Sequence, residues 1–474
     1  MYTYVNRYRL THLFTYLSLP LSLVLLVWYF FFNFKESYQL VFTSSFLFVC
    51  FPALFFSLPS PIPAFNMSAH QHLVSDATVG SGAWLPEAQG FDTLQVHGGV
   101  RPDPVTGAIL TPLYQSTTFV QESIDKYQQR GYSYTRSANP TVKVLEERLC
   151  ALENGAYATA YSTGMAATTT AISAYMSQGD HAIVTDCSYG GTNRACRLFF
   201  TRMGMEFTFV DMRDVKNVEA AIKPNTKLVI SESPANPTLT LIDIQALSTL
   251  CRAKNIIHMC DNTFATALIM RPLDHDCDVT LISTTKYVDG HDMTVGGALV
   301  TKSKELDDKV RYVQNILGNA MSPYVAYLQL QTSKTMSLRV TKQSESAQKI
   351  AEFLEKHSAV ETVHYPGLAS FPQKALADRQ HRNHLHGGML WFEVKGGTAA
   401  GRKLMDTVPR PWSLCENLGA CESIITCPSV MTHANMTTED RLKVGITDGF
   451  VRVSVGVEDA EDLIRALKVA LDAL

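Results

Sequence analysis

Apolar residues recur with two different periods between residues 131 and 316. After Asn139 they return every three or four positions, which predicts an amphipathic helix that packs on a core. Short, almost purely apolar runs follow at residues 182–186, 207–211, 227–231, 256–261, 279–283 and 297–301. Such runs are typical of strands buried on both faces, and the intervals between them suit helical crossovers. The pattern predicts an α/β fold with a mainly parallel central sheet flanked by helices.

The pattern changes beyond residue 316. A long helical stretch runs from about Leu317 to His357, and it leads to two short strand candidates at residues 389–394 and 450–456. A last helix is predicted from about Asp459. This part of the chain therefore predicts a smaller α+β domain.

The predicted domains follow these changes of pattern. Residues 131–316 form the α/β domain, and residues 317–474 form the smaller C-terminal domain. Residues 67–130 are polar and punctuated by Gly and Pro, with little periodicity. We expect them to form an N-terminal arm that packs on a neighbouring subunit.

Residues 1–66 differ from the rest of the chain. Residues 13–34 carry no charge and are long enough to span a bilayer, and residues 37–66 are uncharged and rich in Phe. One interpretation is a membrane or targeting extension. The composition changes abruptly at Met67, and we favour the other hypothesis, in which translation begins there and residues 1–66 belong to an over-extended gene model.

Composition narrows the class of protein. The chain has 41 basic and 44 acidic residues and a net charge of −3, which argues against a protein built to bind nucleic acid. The ten cysteines are scattered without a CxxC pair, a usage that favours a reducing compartment, and we expect a cytoplasmic protein. His381, His384 and His386 have loosely metal-like spacing, but we expect a solvated loop without a metal because no acidic or cysteine ligand is nearby.

The segment ISTTKYVDG, residues 282–290, contains a candidate functional lysine. Lys286 follows Ser283 and Thr285 at the end of one predicted strand, and Asp261 stands at the end of another. Ligands bind beyond the carboxyl ends of the strands in an open α/β sheet, so we expect these residues to face one crevice. The small residues around Gly164 lie where a helix should begin, and the free N–H groups of a helix start suit a phosphate.

Together these residue types predict a site for pyridoxal phosphate. A lysine amine can form a Schiff base with an aldehyde, and an acidic residue can hold a pyridinium nitrogen. Hydroxyl groups and a helix start can hold the phosphate. A single lysine is usually a solvated surface residue. The cofactor is indicated by the lysine together with the acidic residue, the hydroxyl groups and the helix start.

Six segments of the sequence resemble the signatures of the Cys/Met-metabolism enzymes that use pyridoxal phosphate. They are STTKY with Lys286, DNTFAT from Asp261, ESPANPT from Glu232, SYGGTNR from Ser188, YTRSANPT from Tyr134 and RVSVGVED from Arg452. Their order and spacing cover roughly residues 90–474. The resemblance implies the fold type I, aspartate-aminotransferase-like architecture and a homotetramer built from two intimate dimers.

The resemblance also implies roles at the centre of the site. Lys286 would carry the cofactor as a Schiff base and would then act as the base that moves protons at the substrate's α and β carbons. Asp261 would pair with the pyridine nitrogen, and Thr263 would support the site beside it. Tyr189 would stack on the cofactor ring and assist proton transfer.

The remaining cofactor contacts are implied in the same way. The backbone N–H groups of Gly164 and Met165 would bind the phosphate, and the hydroxyl groups of Ser283 and Thr285 would add donors. Asn236 would contact the ring oxygen of the cofactor.

The resemblance also implies which residues contact the substrate or reach the site from a second subunit. Arg452 would bind the α-carboxylate of an amino acid, because a planar guanidinium matches a carboxylate at two points. Glu416 resembles the glutamate that cystathionine enzymes use near the distal amino group of their substrate. Tyr134 and Arg136 resemble residues that reach the phosphate across a dimer interface, with Tyr134 also close to the substrate.

The family includes cystathionine γ-lyase, cystathionine γ-synthase, methionine γ-lyase and homoserine-ester sulfhydrylases. Gly191 stands where methionine γ-lyases generally carry a cysteine, which argues against a dedicated methionine lyase. We expect elimination from L-cystathionine to give L-cysteine, 2-oxobutanoate and ammonia. Asn417 and Ala420 stand where the lyases' ESLGG pattern has serine and glycine, and GHDM after Tyr287 replaces the more usual GHSD.

These departures leave two further functions open. One is the γ-synthase or O-acetylhomoserine sulfhydrylase reaction, in which a homoserine ester is loaded and a thiol or sulfide is added. The other is a membrane-anchored protein that binds a ligand without catalysis, which the apolar residues 1–66 would support. A complete set of cofactor residues argues against the latter, because a binding protein has no use for a base and an electron sink.

Overall fold

The structure of the protein is a computed structural model, and it describes residues 89–431, 438–443, 445–447 and 449–474. Residues 1–66, the change of composition at Met67 and the arm up to residue 88 lie outside the described residues. The hypotheses about them stay predictions. Within the described ranges, no helix is both long and apolar enough to cross a membrane.

A seven-stranded sheet forms the larger layer of the fold. Its strands are β1 (Tyr157–Tyr161), β2 (His181–Thr185), β3 (Glu206–Val210), β4 (Thr226–Glu232), β5 (Ile257–Asp261), β6 (Val279–Ile282) and β7 (Gly297–Thr301). Their order is β1-β7-β6-β5-β4-β2-β3, and only β7 runs antiparallel to its neighbours. The prediction of a mainly parallel sheet is confirmed, and all six predicted apolar runs overlap strands.

Helices cover both faces of this sheet. They are α1 (Phe91–His97), α2 (Pro140–Leu152), α3 (Gly164–Tyr175), α4 (Gly190–Arg194), α5 (Val215–Ala221), α6 (Ile244–Ala253), α7 (Thr266–Ile269) and α8 (Lys304–Leu317). Helix α2 begins where the sequence predicts, because the Asn139 side chain accepts a hydrogen bond from the Thr141 N–H and Pro140 occupies the first turn.

Alternate strand residues face two separate hydrophobic clusters. In β2, Ile183 packs into the cluster that contains the α2 and α6 residues, whereas Ala182 and Val184 pack into the cluster that contains the α3 residues. This alternation follows from the two-residue period of a strand. The sheet is therefore buried on both faces, as its apolar runs predict.

The long helical stretch predicted from Leu317 to His357 is divided. Helix α8 ends at Leu317, where Gly318 adopts a left-handed φ of 71°. Helix α9 (Pro323–Thr332) and helix α10 (Met336–Glu355) follow, with a 3₁₀ turn at Ser333–Thr335 between them. The glycine cap and the proline at the start of α9 are the physical reasons for the first interruption.

A second sheet of five strands follows these helices. Its strands are β8 (Val360–His364), β9 (Met389–Val394), β10 (Ser413–Leu414), β11 (Ile424–Thr426) and β12 (Phe450–Ser454), in the order β10-β11-β12-β9-β8. The helices of this region are α11 (Lys374–Gln380), α12 (Gly397–Thr407), α13 (Thr438–Lys443) and α14 (Ala460–Asp472). Residues of α10 and α14 pack against β8, β9 and β12 in a third hydrophobic cluster. The residue boundaries of the domains stay a prediction.

The larger sheet brings the ends of three strands together. In the parallel register, Glu232 at the end of β4 pairs with Asp261 at the end of β5, and Asp261 pairs with Leu281 near the end of β6. The residues that follow β6 include Lys286. The predicted crevice beyond the carboxyl ends of these strands is therefore present.

Candidate active site

A cavity of about 480 Å³ lies beyond the carboxyl ends of β4, β5 and β6. Most of the predicted site residues line it. These are Gly164, Met165, Tyr189, Asn236, Asp261, Thr263, Ser283, Thr285, Lys286, Glu416 and Arg452. The structure thus brings them to one place, and the role of each is a proposal.

Lys286 stands in the turn after β6 with its amine at the cavity. Its Nζ donates a hydrogen bond to Oδ1 of Asn417 over 2.5 Å. Burial and then the positive charge of Arg452 lower the pKa of Lys286 to about 8, against the opposing charge of Asp292. A larger share of this amine is therefore neutral at pH 7 than in a free lysine, and a neutral amine can act as a nucleophile or a base.

Asp261 is a half-buried carboxylate at the cavity wall, and Thr263 supports it by hydrogen bonds. Its Oδ1 accepts hydrogen bonds from the Thr263 N–H at 3.0 Å and from the Thr263 hydroxyl at 2.6 Å. Burial raises the pKa of Asp261 to about 6, although these two hydrogen bonds lower it. A cation placed beside Asp261 would favour its ionised form, so a protonated ring nitrogen suits this position.

Glu232 is a residue of the cavity whose role the sequence reasoning missed. Its Oε2 accepts from the Tyr189 N–H at 2.7 Å, and its Oε1 accepts from the Asn236 N–H at 2.8 Å. Burial, followed by the charge of Asp261, raises the pKa of Glu232. One side chain thus ties together the backbones of two predicted cofactor contacts. An acidic residue at the end of the apolar run in KLVISE was the available signal.

Helix α3 begins at the cavity, and its start is held close to β6. The hydroxyl of Thr163 accepts a hydrogen bond from the Ala166 N–H at 2.9 Å, while the N–H groups of the first helical residues have no partner within the helix. A Cβ placed on Gly164 would lie 3.0 Å from the Ser283 side chain. Glycine thus permits a close approach between the helix start and a hydroxyl, a combination that suits a phosphate.

The hydroxyl of Thr285, a predicted phosphate donor, forms hydrogen bonds with the backbone of Gly296. It donates to the Gly296 carbonyl at 3.2 Å and accepts from the Gly296 N–H at 2.9 Å. A hydroxyl has one hydrogen to donate, so Thr285 would have to release Gly296 in order to donate to a phosphate. Its role as a phosphate donor stays a prediction.

Arg452 is a buried cation, with 3% of its surface exposed. It donates to the Thr426 hydroxyl at 3.2 Å, to Oδ1 of Asn236 at 3.1 Å and to the Asn417 carbonyl at 3.3 Å. Burial lowers the pKa of Arg452 to about 10, and the charge of Glu416 opposes this effect. All three acceptors are neutral, so they orient the guanidinium without neutralising it, and a carboxylate ligand suits it.

Gly191 has no room for a side chain. A Cβ on Gly191 would lie 2.5 Å from Cε1 of the Tyr189 ring and 2.7 Å from Sδ of Met165. The Tyr189 ring itself is partly exposed at the cavity wall. A larger residue at position 191 would therefore displace the predicted stacking ring.

Tyr134 and Arg136 do not line this cavity. They lie at a separate cavity of about 360 Å³. Arg136 donates to the backbone and side-chain oxygens of Asn315, each at 2.5 Å, and its guanidinium lies 5.6 Å from the centre of the Tyr134 ring. Within one chain these two residues are thus apart from Lys286, and their approach from a second subunit is a proposal.

The expectation of a solvated loop for the histidine cluster is wrong in part, because His381 is buried while His384 is exposed. The Nδ1 atoms of His381 and His386 lie 3.0 Å apart. The expectation that no acidic residue is nearby is wrong, because Oδ1 of Asp378 lies 3.9 Å from Nε2 of His386. Among the described residues, no group of three or more His, Cys, Asp or Glu side chains has an arrangement that could hold a metal ion.

Comparison with known proteins identifies relatives of this chain. The family described as Cys/Met metabolism PLP-dependent enzyme matches residues 92–472. L-methionine gamma-lyase of Treponema denticola is 43% identical, over 82% of this chain and 98% of the relative, and cystathionine gamma-lyase of Bacillus subtilis is 41% identical, over 80% and 98%. Relatives at 40% and 43% identity bear the names cystathionine beta-lyase and cystathionine gamma-synthase.

Solved structures give the same result. The crystal structure of cystathionine gamma synthase from Xanthomonas oryzae pv. oryzae in complex with aminoacrylate and cysteine matches with a TM-score of 0.78 at 37% identity. The match covers 81% of this chain and 98% of that chain. The fold type I prediction is confirmed by this likeness. The hypothesis of a ligand-binding protein without catalysis finds no support, because these relatives are enzymes.

The residues at the cavity fit pyridoxal phosphate by the chemistry of their groups. The start of α3 beside Ser283 suits the phosphate, and Asp261 suits the ring nitrogen. The amine of Lys286 suits the aldehyde. Oδ1 of Asn236 accepts a hydrogen bond from Arg452. The amide N–H group of Asn236 therefore suits a ring oxygen.

Proposed function

Since the chain belongs to the Cys/Met metabolism family of PLP-dependent enzymes, we propose that it acts as a carbon–sulfur lyase that cleaves L-cystathionine by α,γ-elimination. The products are L-cysteine, 2-oxobutanoate and ammonia. The observation that carries the choice of substrate is that Arg452 and Glu416 line one cavity together with Lys286. Cystathionine has an amino acid group at each end, so it offers a carboxylate to the arginine and a distal ammonium to the glutamate.

When bound, pyridoxal phosphate supplies an aldehyde that an amino group can attack and a ring that accepts electrons from the substrate. Asp261, supported by Thr263, would hold the ring nitrogen. Asn236 would hold the ring oxygen, and Tyr189 would cover the ring face. Ser283 and the start of α3 would hold the phosphate.

Lys286 would hold the cofactor in the resting enzyme and move protons during turnover. Elimination from the γ carbon requires that protons leave the α and β carbons before the sulfur departs. A base for these steps works best with a pKa near the working pH, and the pKa of Lys286 is lowered to about 8. Burial of the amine thus prepares it for this task.

Arg452 would fix the α-carboxylate, and Glu416 would select the distal end. The guanidinium is oriented by neutral acceptors, so its charge is available to the substrate. Glu416 is exposed at the cavity and close enough to Arg452 for its charge to raise the pKa of the arginine. A substrate without a distal ammonium, such as methionine, would gain nothing from Glu416.

The glycine at position 191 favours the proposal that the substrate is not methionine. It stands where methionine γ-lyases generally carry a cysteine, and a Cβ there would lie 2.5 Å from the Tyr189 ring. The Tyr189 ring position of this chain therefore depends on glycine. This argues against a dedicated methionine lyase, although relatives of that name are among the similar proteins.

Cystathionine γ-synthase is the second candidate. Asn417 stands where the lyases' pattern has serine, and it contacts the amine of Lys286 directly. A change of partner at this amine could favour addition of a thiol over elimination. The enzyme would then load a homoserine ester and add cysteine, or sulfide in the sulfhydrylase reaction, at the γ carbon.

A substrate panel tests the proposed function. The purified enzyme is incubated with cystathionine, with O-acetylhomoserine plus cysteine or sulfide, and with methionine, while keto acids and thiols are measured. We expect 2-oxobutanoate and cysteine from cystathionine to form fastest. Thioether formation from the ester at a higher rate would favour the synthase, and pyruvate with homocysteine from cystathionine would reveal elimination at the β carbon instead.

A Glu416→Gln variant tests the role of Glu416 in substrate choice, and methionine serves as the control substrate. It keeps the shape of the side chain and removes the charge. We expect kcat/KM for cystathionine to fall about 10-fold, as for one lost charged hydrogen bond, and kcat/KM for methionine to stay the same. An equal effect on both substrates would refute the role of Glu416.

The assembly and location of the protein are further parts of the proposal. A homotetramer built from two dimers, with Tyr134 and Arg136 reaching a neighbouring site, would explain why these residues lie at a separate cavity. The nine cysteines of the described residues are free, which agrees with a reducing compartment such as the cytoplasm.

A further inference from the structure

Two departures from the family pattern meet in space beside Lys286. Asn417 replaces a serine of the ESLGG pattern, and Asp292 belongs to the GHDM segment. In the structure, Nδ2 of Asn417 donates a hydrogen bond to Oδ1 of Asp292. Oδ1 of the same amide accepts a hydrogen bond from Nζ of Lys286. One amide thus connects an exposed carboxylate to the amine of the site.

The chemistry of these groups admits one orientation of the amide. An ionised carboxylate only accepts hydrogen bonds, and an asparagine has one side that donates and one that accepts. Because Asp292 takes the donating side of Asn417, the accepting side must face Lys286. A serine hydroxyl can donate or accept. The Asn417 amide, held by Asp292, can only accept from Lys286, which distinguishes this chain from the family pattern.

Both ends of this connection are held by the protein. Asp292 has a left-handed φ of 54°, a conformation that aspartate tolerates better than most residues. The buried Asp289 shapes the same turn, because it accepts from the Met293 N–H at 3.0 Å and from the Thr294 hydroxyl at 2.8 Å. The backbone of Asn417 is fixed in turn, since its carbonyl accepts from Arg452.

We propose that Asp292 is a positioning residue that locks Asn417 as a hydrogen-bond acceptor for the amine of Lys286. The acceptor takes one N–H of the neutral amine and leaves its lone pair free for the cofactor aldehyde or for a substrate proton. It also stabilises the ammonium that forms when Lys286 takes a proton. The inference rests on the assignment of Lys286 in the proposed function.

The charges around the amine fix the direction of the expected effect. Burial and Arg452 lower the pKa of Lys286 to about 8, and Asp292 raises it. The other charged or titratable side chains that line the cavity, from other elements, are Asp261, Glu232, Glu416, Arg194 and Tyr189. Loss of the Asp292 charge, or of the acceptor that it orients, should therefore lower the pKa of Lys286.

The pH dependence of cofactor uptake measures this pKa without any substrate. The full chain is stripped of cofactor, and the rate at which its visible absorption returns with added pyridoxal phosphate is followed from pH 6 to pH 10. Only the neutral amine attacks the aldehyde, so the rate profile bends at the pKa of Lys286, which we expect at about 8. For Asp292→Asn we expect the bend to lie about 0.5 pH unit lower than in the wild type, because a partly screened charge has an effect of this order.

Glu422→Gln is the matched control, because Glu422 is an exposed carboxylate near Asn417 in the sequence. We expect its rate profile to equal that of the wild type. An Asp292→Asn profile that also equals the wild type would overturn the proposal. Asp292→Ser carries the same test if the asparagine variant does not fold.

A double-mutant cycle separates positioning from a direct effect of charge. If Asp292 acts through Asn417 in addition to its direct charge, Asp292→Asn displaces the bend less in an Asn417→Ala background than in the wild type. An equal displacement in both backgrounds would refute the connection through the amide. A wild-type protein that binds the cofactor without visible absorption would instead refute the assignment of Lys286, so the two failures are distinguishable.

Discussion

Arg452 combines burial with neutral partners, and this combination defines its chemistry. A buried ion pair would have satisfied its charge within the fold. The guanidinium instead donates to a hydroxyl, an amide oxygen and a backbone carbonyl. Its charge therefore remains available for the α-carboxylate of an amino acid.

Replacing Arg452 should weaken substrate binding more than cofactor binding. We expect Arg452→Gln to raise KM for cystathionine about 100-fold, the upper range for a charged hydrogen bond, with a smaller change in kcat. Arg452→Lys keeps the charge but loses the two-point geometry, so its effect should be intermediate. Steady-state kinetics with cofactor content measured by absorbance provide the test.

The exposed Arg465 offers a control, because Arg465→Gln removes a positive charge from helix α14. Its KM should equal that of the wild type. An unchanged KM in Arg452→Gln, with normal cofactor content, would rule out a carboxylate-binding role for Arg452.

Sequence reasoning found the residues whose position follows from local pattern. Lys286 and Asp261 each stand at the end of an apolar run, and parallel strands bring such ends together. Glu232 stands at the same edge, but its two backbone partners depend on the turns that follow β4. The contact between Asn417 and Asp292 could not be predicted, because it joins loops 125 residues apart in the chain.

A buried histidine joins three elements that support the site. His258 of β5 lies 2.7 Å from the Ser231 hydroxyl of β4 and 2.9 Å from the Ser248 hydroxyl of α6. Burial lowers the pKa of His258 to about 3. The histidine is therefore neutral in the folded protein at any pH near neutrality, and strand β5, which carries Asp261, depends on this neutral form.

His258 should make stability fall in mild acid. An unfolded histidine has a pKa of about 6.5, so between pH 6.5 and about 3 the unfolded state binds more protons, and stability decreases as the pH falls. From pH 7 to pH 5 the loss is about 2 kcal/mol. We expect His258→Gln, which removes this titration, to show a smaller drop in the urea midpoint between these pH values than the wild type.

His384 is exposed and supplies the control substitution. The His384→Gln variant should lose as much stability between pH 7 and pH 5 as the wild type. If His258→Gln behaves like His384→Gln, the buried histidine does not govern the acid sensitivity.

The division of the helical region after β7 shows what periodicity leaves open. Apolar spacing predicts helix throughout residues 317–357, and most of these residues are helical. The break before helix α9 depends on the left-handed Gly318 and on Pro323 at a first helical position. Such single-residue signals determine where a helix ends, which periodicity alone does not.

Two cavities of the described residues contain complementary parts of the predicted site. One contains Lys286 and Arg452, and the other contains Tyr134 and Arg136. If the second set serves the site of a neighbouring subunit, each active site needs two chains. The sequence could indicate this arrangement only by resemblance, since no local pattern specifies a second subunit.

Complementation between inactive variants tests the shared site. Lys286→Ala and Arg136→Ala should each have little activity. In a hybrid dimer one site receives both defects and the other receives none, so random mixing should restore about a quarter of wild-type activity. Hybrids isolated with two different affinity tags that remain inactive would refute the sharing of sites.

The most direct measurement is the identity of the lysine that carries the cofactor. The full chain is loaded with pyridoxal phosphate, reduced with borohydride, digested and analysed by peptide mass spectrometry, with Lys286→Ala treated in parallel. We expect the phosphopyridoxyl group on Lys286 and no specific label in the variant. A label on a different lysine, or equal labelling of the variant, would contradict the site described for this protein.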